Sequence, residues 1–451
     1  MRKSAALLLA LVFLTASCLI MAKPAFSSAD VAEDSWVSKA PMPTARSNLG
    51  VAVVNGKIYA IGGYNSSWEL VGNNEMYDPS GDTWTTLAPM PTPRAQFGIA
   101  VFQNKIYVIG GVIGIAPYFR DNALGISIMT GINEVYDPAT NTWENKAHMP
   151  TERGVMQANT VDGKIYITGG FTQNSQFSNN TEAYDPSSDS WTTLAPMPIF
   201  QAEFSSAVVD SKIFFISDKV QIFDPKNNQW TAGNSPPNAV YQGAAGATTG
   251  ILAPKRIYLI GGSSGLNQIY NPNSDNWTTG VSIPTPRNNL AIAVVNDMLY
   301  AIGGSNTAYP SALNILADND QYTPFGYGTI PPAVHLVSPE NKTYVSSNVS
   351  LAFAVNKPAL WMGYSLDGQD NVTITGNATL SGLANGSHNV TVYAKDEFEN
   401  TGASETVIFT IAKETEAFPI RLAVAAAIVI AALVLLAAVS VGLSAYLKKR
   451  K

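Results

Sequence analysis

The sequence predicts an all-β protein that ends in one membrane-spanning helix, and three features of its 451 residues support this. An apolar strand followed by a Gly-Gly pair recurs through the first two thirds of the chain, as expected of a repeat architecture. Residues 333–412 alternate apolar and polar side chains between Gly and Asn turns, which is the period of half-buried strands. Residues 422–447 are 26 uncharged residues, and as a helix they would measure ~39 Å, enough to cross a ~30 Å hydrocarbon core.

The composition limits the chemistry available to this protein. Charged residues make up 13% of the chain and the net charge is -6. No run of Lys and Arg is longer than the last four residues, so the basic footprint of a nucleic-acid binder is missing. Cys18 is the single cysteine and there are three histidines, which excludes an intrachain disulfide, a zinc finger and a Cys–His catalytic pair. We therefore expect no metal site, no cofactor and no nucleic-acid partner.

Both ends of the chain are predicted to face a membrane. Arg2 and Lys3 precede an uncharged stretch, and small residues at 27–29 offer a cleavage site, so residues 1–29 are predicted to be a signal peptide. An uncleaved anchor and lipidation of Cys18 are the alternatives. Residues 418–447 are the predicted membrane helix, and the basic residues 448–451 place the C-terminus in the cytoplasm by the positive-inside rule. The rest of the chain is expected outside a cell membrane that it crosses once.

Three sequence markers recur in the same order between about residues 35 and 325. The first is the Gly pair, replaced once by Ser217-Asp218; the pairs are Gly62-Gly63, Gly110-Gly111, Gly169-Gly170, Gly261-Gly262 and Gly303-Gly304. The second is a Tyr-Asp-Pro motif or a variant of it, at Tyr77, Tyr136, Tyr184, Phe223, Tyr270 and Tyr322. The third is a tryptophan after five of these motifs, at Trp84, Trp143, Trp191, Trp230 and Trp277. Four short strands per unit are typical of a propeller blade.

Together the markers resemble the kelch repeat. The resemblance implies a six-bladed kelch β-propeller over residues 30–330, with the Gly pair in a tight bend after the second strand and the aromatic residues packed between blades. Trp36 precedes the first unit, whereas the last unit has no tryptophan after it. We therefore predict that the Trp36 strand is the fourth strand of the last blade and closes the ring.

Residues 331–417 begin at a Pro-Pro pair and are predicted to form a small Ig-like β-sandwich of about seven strands. They resemble the Ig-like modules of prokaryotic surface proteins, without the Cys pair of antibody domains, which implies a stalk. Asn-x-Ser/Thr sequons in the predicted external part are candidate glycosylation sites, with an unmodified Asn-rich surface as the alternative. They are Asn65, Asn179, Asn276, Asn341, Asn348, Asn371, Asn377, Asn385 and Asn389.

Candidate ligand-binding residues lie in the connections between blades, near the expected mouth of a central channel. A repeated Met-Pro-Thr-x-Arg motif and its variant supply Arg46, Arg94, Arg153 and Arg287. The polar residues expected beside them are Asn48, Gln96, Gln201, Glu203, Gln242 and Asn289. Because Arg binds planar anions bidentately, such a ring would suit a carboxylate or a sulfate; alternatively, the arginines only anchor loops. The long loop from Val112 to Asn133 adds Tyr118 and Arg120 as candidate contacts, with a mobile insertion without function as the alternative.

These features favour a membrane-anchored, cell-surface kelch propeller that binds an extracellular glycan or protein. The alternative is a sugar-modifying enzyme resembling N-acetylneuraminate epimerase, a mutarotase, with Glu203 as its general base. Binding without catalysis is favoured, and no other catalytic residue is nominated. A copper radical oxidase resembling galactose oxidase is argued against, because that family needs two His, two Tyr and a Cys. The predicted propeller has one histidine, His148, and no cysteine.

Overall fold

The structure is a computed structural model that describes residues 32–116, 126–173, 176–201, 203–306, 314–413 and 420–448. The predicted signal peptide at 1–29 lies outside the described residues, as do Tyr118 and Arg120.

Residues 35–323 form six four-stranded antiparallel sheets, numbered here 1 to 6 in the order of their first strands. The first strands are Gly50–Val54, Gly98–Phe102, Gln157–Val161, Ser205–Val209, Gly243–Ala247 and Ala291–Val295. The second strands are Lys57–Ile61, Lys105–Ile109, Lys164–Thr168, Lys212–Ile216, Ile257–Gly261 and Met298–Ile302. The third strands are Asn74–Asp78, Asn133–Asp137, Thr181–Asp185, Val220–Asp224, Leu266–Asn271 and Asn319–Thr323. The fourth strands are Thr83–Leu87, Thr142–Lys146, Ser190–Leu194, Gln229–Gly233, Asn276–Gly280 and, for sheet 6, Ser35–Ser38.

The first strands of neighbouring sheets contact one another in a closed ring in which sheet 6 meets sheet 1. This is the arrangement of a β-propeller. Its apolar cores lie between adjacent sheets: Ile58 and Tyr77 of sheet 1, for example, pack against Ala293 and Tyr300 of sheet 6. The second strands are apolar on both faces because they are covered by a sheet on each side.

The Gly pairs are required where the second strand ends against the next sheet. Gly62 and Gly63 have φ of 62° and 100°, in the region that favours glycine. A Cβ on Gly62 would lie 2.6 Å from the carbonyl oxygen of Arg94 in the following connection. Sheet 4 needs no such pair, because Ser217–Lys219 alone link its second and third strands.

The tryptophans of the fourth strands make the same two contacts in all six sheets. Each indole ring lies 4.9–5.1 Å from the aromatic ring of the third strand. Each indole Nε1 donates to a backbone carbonyl of the connection that leaves the preceding sheet, at 2.8–2.9 Å. Every tryptophan therefore joins its own sheet to its neighbour.

The N-terminal strand enters sheet 6 antiparallel to Asn319–Thr323, with Trp36 opposite Tyr322. Trp36 donates its indole hydrogen bond to Val281 O in the connection from sheet 5. Asp34 accepts from the Tyr322 hydroxyl at 2.6 Å and from the Val281 backbone N–H at 2.8 Å. Burial and the Asp34 carboxylate raise the pKa of Tyr322 well above its usual range. The two ends of the propeller are therefore joined by side-chain contacts as well as by the strand ladder.

Besides the six sheets, the connections on one face carry two small two-stranded sheets. Val112–Ala116 pairs with Ile126–Met129, so the base of the long loop predicted from Val112 to Asn133 is a two-stranded sheet. Arg153–Gly154 pairs with Phe171–Thr172 in the same region of sheet 3.

Residues 334–411 form two sheets with a single core between them. One sheet consists of Val334–Ser338, Val349–Val355 and Ala378–Leu380. The other consists of Thr343–Tyr344, Trp361–Leu366, Val372–Ile374, Gly386–Lys395, Thr401–Ala403 and Val407–Ile411. The core includes Leu351 from the first sheet and Val390 and Phe409 from the second. The sequence predicts about seven strands, and the additional ones are only two or three residues long, too short for a period of two to be recognised.

The linker between the propeller and the sandwich is fixed at both ends. On the propeller side, Gly328 N–H donates to Leu252 O at 2.7 Å. On the sandwich side, Lys357 Nζ contacts the carbonyl of Ile330 and forms a 2.7 Å ion pair with Asp396, both side chains being 2% exposed. Hydrogen bonds and Lys357 hold the pKa of Asp396 below its usual range against the effect of burial.

The described chain ends in the helix Ile420–Lys448, whose 29 residues span about 44 Å. Within it, Ala426–Ala445 is long and apolar enough to cross a membrane, and its side chains are exposed.

Removing the N-terminal strand tests how far the propeller depends on this ring closure. Deleting residues 30–43 exposes the edge of Asn319–Thr323 and the ring of Tyr322, so we expect the unfolding midpoint of the full-length protein to fall by at least about 5 °C. Trp36→Ala should lower the free energy of unfolding by about 2 kcal/mol. Trp68→Ala is the matched control, because Trp68 is 47% exposed in a loop. Equal melting of the deletion variant and the wild type would contradict the closure.

Candidate functional site

A cavity of about 310 Å³ lies at the centre of the propeller, where all six sheets contribute to its lining. It is formed by the residues that precede each first strand and by the beginning of that strand. The face on which these residues lie is called the ring face below. The connections from fourth to first strands and the ends of the second strands also lie on this face.

Six structurally equivalent residues surround the opening of the cavity, each in the left-handed backbone region with φ between 52° and 57°. They are Asn48, Gln96, Val155, Glu203, Gln242 and Asn289, and they are called the ring residues below. Asparagine tolerates this conformation, whereas a β-branched residue such as Val155 does so at a cost in strain. The tertiary structure therefore imposes the conformation.

Backbone hydrogen bonds connect the ring residues head to tail. Among the described residues, five such bonds of 2.6–3.3 Å run from the N–H of one ring residue to the carbonyl of the ring residue in the preceding sheet. The bond from Asn48 N–H to Asn289 O joins sheet 1 to sheet 6. The cavity opening is thus bounded by a hydrogen-bonded belt.

The side chains of the ring residues are amides, apart from Val155 and Glu203. Gln96 Nε2 donates to Asn48 Oδ1 at 3.2 Å, and Gln242 Nε2 donates to Glu203 Oε1 at 2.9 Å. Glu203 is half-buried and is the only ionisable side chain among the described residues that line the cavity. The opening therefore offers amide donors and acceptors together with one carboxylate.

The four arginines predicted at this opening are elsewhere, and this corrects the expectation of a cation ring. Arg46, Arg94, Arg153 and Arg287 are 0% exposed and do not line the cavity. Each pairs with a carboxylate of a third strand, the partners being Glu75, Glu134, Glu182 and Asp320. Each guanidinium also donates to a carbonyl of the second strand, as Arg94 does to Val108 O at 2.8 Å. These arginines therefore anchor the connections between sheets, as the alternative interpretation of the motif proposes.

Burial also changes the electrostatics of three of these arginines. It lowers the pKa of the guanidinium groups of Arg46, Arg94 and Arg153, while the paired carboxylates oppose that shift. A buried charge of this kind is stable only with its partner present.

The two sheets that lack the arginine also lack the carboxylate. In sheet 4, Gln201 replaces Arg and bonds to the amide of Gln221, which replaces the third-strand carboxylate. In sheet 5, Val240 replaces Arg and the third-strand residue is Gln268. Gln201 is 4% exposed and also bonds to Ser217, so this predicted ligand contact does not line the cavity either.

Of the predicted ligand-binding residues, the structure thus brings together Asn48, Gln96, Glu203, Gln242 and Asn289. Polar lining residues in the first strands of sheets 3 and 4 are absent from that prediction. They are Gln157, Asn159, Ser205 and Ser206. An alignment of the six first strands would have found them, because the equivalent residues elsewhere are Gly, Ala, Val or Ile.

The cavity walls differ in polarity from one side to the other. Among the first-strand residues that line the cavity, the polar ones belong to sheets 3 and 4. Val51 of sheet 1 and Ile292 of sheet 6 lie across the cavity from them, and Ile99 of sheet 2 lies beside sheet 3. Sheet 5 contributes small residues, including Gly243 and Ala244.

Exposed aromatic rings lie on the ring face next to the polar side of the cavity. Phe177 is 57% exposed and its ring centroid is 4.0 Å from that of Phe200, which is 38% exposed. Phe171 lies 4.8 Å from Phe177. These three residues are called the phenylalanine cluster below; Phe200 is three residues before Glu203.

The sequon asparagines lie at the surface. Asn65 is half-buried and bonded to Glu69, and the other eight candidates are exposed, so their positions permit sugar attachment.

Comparison with known proteins identifies kelch motifs in this chain. The family model described as "Kelch motif" matches residues 45–91, 93–122 and 156–198. This match supports the prediction of a kelch-repeat protein with a β-propeller.

Three curated relatives match parts of the chain. Halomucin of Haloquadratum walsbyi is 36% identical over 125 residues, which are 26% of this chain and 1% of halomucin. Beta-scruin of Limulus polyphemus is 32% identical over 137 residues, which are 30% of this chain and 14% of beta-scruin. Kelch-like protein terF of Aspergillus terreus is 29% identical over 187 residues, or 39% of this chain and 32% of that protein. The chain thus spans at most about a third of the length of these relatives.

A solved structure described as "Structure of YjhT" superposes with a TM-score of 0.52 at 19% identity. The superposition covers 62% of this chain and 95% of that one. This likeness supports the fold alone.

The contribution of a buried ion pair to stability can be tested by replacing it with the Gln–Gln pair that sheet 4 has at the same position. Arg94→Gln leaves Glu134 buried without its partner, so we expect a loss of about 3–5 kcal/mol in the free energy of unfolding. The double variant Arg94→Gln/Glu134→Gln should recover most of that loss, because Gln201 and Gln221 form the same amide pair. Urea unfolding of the full-length protein measures both. A double variant as unstable as the single one would contradict this explanation.

Proposed function

We propose that this protein is a membrane-anchored, cell-surface binding protein whose six-bladed kelch propeller recognises a neutral sugar residue of an extracellular glycan in the central cavity. In this proposal the helix at 418–447 is the anchor, residues 331–417 are an Ig-like stalk and the C-terminus is cytoplasmic. The alternative ligand is a protein that binds the same face, and the experiment below distinguishes it from a glycan.

The observation that carries this proposal is the chemistry of the cavity opening. Amide side chains both donate and accept hydrogen bonds, as sugar hydroxyls do, and a carboxylate accepts from hydroxyls. Asn48, Gln96, Gln242 and Asn289 supply the amides, and Glu203 supplies the carboxylate. Since the arginines are buried, no cation lines the described part of the cavity to attract an acidic ligand. A neutral, hydroxyl-rich ligand fits this lining better than the carboxylate or sulfate suggested by the Arg motif.

The phenylalanine cluster supports an extended ligand. A contiguous patch of exposed aromatic rings is typical of a binding surface, and ring faces accept the apolar C–H faces of sugar rings. Phe200 lies where sheets 1, 2, 3 and 6 have Ala, Pro or Glu before the arginine, so the cluster is specific to this side of the propeller. A second sugar residue could stack there while the first occupies the cavity.

The cavity opens on the face of the propeller opposite the linker that leads to the predicted membrane helix. First strands start at the ring face, so third strands end on the opposite face, and the third strand of sheet 6 ends at Thr323. The linker to the sandwich and to the helix therefore leaves from the face opposite the ring residues. The linker therefore does not cover the ring face.

A glycan array tests the proposal on the full-length protein in lipid nanodiscs. We expect binding to neutral glycans in preference to sialylated or sulfated ones, because Glu203 repels anions. Phe177→Ala/Phe200→Ala should weaken binding to oligosaccharides about tenfold and binding to monosaccharides much less. Trp68→Ala is the matched control, because Trp68 is an exposed aromatic residue in a loop of sheet 1, across the cavity from sheet 4. If the protein binds cell-surface proteins and no glycan, its ligand is a protein and the sugar proposal is wrong.

The position of Glu203 favours one catalytic alternative, a sugar mutarotase. A single carboxylate held by Gln242 at the cavity opening could act as a general base toward a sugar hydroxyl. NMR of freshly dissolved anomers measures this activity directly. Glu203→Gln should then abolish acceleration of anomer exchange while binding persists; if the wild type does not accelerate exchange, the protein binds without catalysing this reaction.

A further inference from the structure

Asn159 stands out when the first strands of the six sheets are aligned. The equivalent residues are all alanine: Ala52, Ala100, Ala207, Ala245 and Ala293. Five sheets thus show that packing at this position needs only a methyl group. An amide placed there instead has a different purpose, and Asn159 lines the cavity.

The amide of Asn159 is only half paired. The side chain is 7% exposed, and its Oδ1 accepts a 3.0 Å hydrogen bond from Ser206 Oγ in the first strand of sheet 4. Its Nδ2 is buried and has no hydrogen-bond partner among the described residues. Buried polar groups are almost always paired, because an unpaired one loses its hydration without compensation. Exchanging the two ends of the amide changes nothing, because the serine hydroxyl can pair with either end and the other end stays without a partner.

Ser206 is itself an exception in its own alignment position. The equivalent residues are Val51, Ile99, Ala158, Ala244 and Ile292. Two adjacent sheets therefore each replace an apolar residue by a polar one, and the two polar side chains bond to each other at the cavity wall. Apolar Val51 of sheet 1 and Ile292 of sheet 6 line the wall across the cavity.

We infer that Asn159, held by Ser206, is a specificity-determining residue that hydrogen-bonds one hydroxyl of the sugar ring in the cavity. The inference rests on the proposed function and adds to it the residue that selects among sugars. A hydroxyl suits the unpaired end of the amide because it can either donate or accept, and a small rotation of the side chain brings that end to the ligand. The apolar wall across the cavity contacts the C–H face of the same ring, so the sugar enters in one orientation.

Calorimetric titration of the full-length protein in nanodiscs tests this. The probes are the methyl glycosides of glucose, galactose and mannose, and then the monodeoxy analogues of the one that binds most tightly. Asn159→Ala should weaken that glycoside about tenfold, since the site loses a buried hydrogen bond. One monodeoxy analogue should bind the wild type about tenfold more weakly than its parent and bind Asn159→Ala as well as its parent. A purely structural residue would not remove the discrimination at one hydroxyl.

Two further variants complete the test, one in the partner of Asn159 and one as a control. Ser206→Ala frees the amide to rotate and should weaken the glycoside and reduce the discrimination in the same direction. Asn145→Ala, an exposed residue of an outer strand, should change neither. If the wild type binds a glycoside and Asn159→Ala binds it and every deoxy analogue with unchanged affinities, the inference is wrong and the proposed function stands. If the wild type binds no saccharide at all, both are wrong.

Discussion

Closure of the ring is the constraint on which the rest of this molecule depends. Six left-handed residues, linked through backbone hydrogen bonds, fix where each first strand begins and therefore the size of the central cavity. The strain at Val155 is tolerated because the surrounding ring, to which its N–H is bonded through Gln96 O at 2.8 Å, determines its conformation. At the outside of the propeller, Trp36 and Asp34 repeat in sheet 6 the contacts that the other sheets make within consecutive sequence. The central cavity depends on two contacts between sheets 6 and 1 and sheets 5 and 6: the inner ring of first strands and the N-terminal strand with Trp36 on the outside.

The buried arginines hold this ring in place without taking part in its chemistry. A guanidinium with several donors is well suited to bind a third-strand carboxylate and second-strand carbonyls at once. Where the cation is lost, in sheets 4 and 5, its carboxylate is lost as well, since an unpaired buried charge is far costlier than an amide pair. Sheets 3 and 4 then add the features that the other sheets do not have: the phenylalanine cluster, Glu203 and the Asn159–Ser206 pair. Structural repetition and functional specialisation are thus divided between different residues of the same repeat.

Placing the ligand on this side of the propeller has consequences for how the protein would work at a surface. The linker leaves from the opposite face and is hydrogen-bonded through Gly328 on the propeller side and through Lys357 on the sandwich side. In the proposed function, this leaves the cavity opening accessible to a ligand outside the cell. Six of the nine candidate glycosylation sites lie in the sandwich, whereas Asn65 and Asn179 lie in connections on the ring face.

The sequence by itself determined the repeat, because Gly pairs, Tyr-Asp-Pro motifs and tryptophans are local requirements of bends and of contacts between adjacent sheets. It also indicated Trp36 as an unmatched member of that pattern and the 26 uncharged residues near the C-terminus as a membrane helix. Only the tertiary structure decided the role of the arginines. Arg94 and Asn48 lie within the same kind of connection, yet one is buried against a carboxylate of a distant strand and the other borders the cavity. Sequence spacing places a residue on an element, whereas its exposure depends on which strand from elsewhere in the chain packs against it, and that is set by the closed ring.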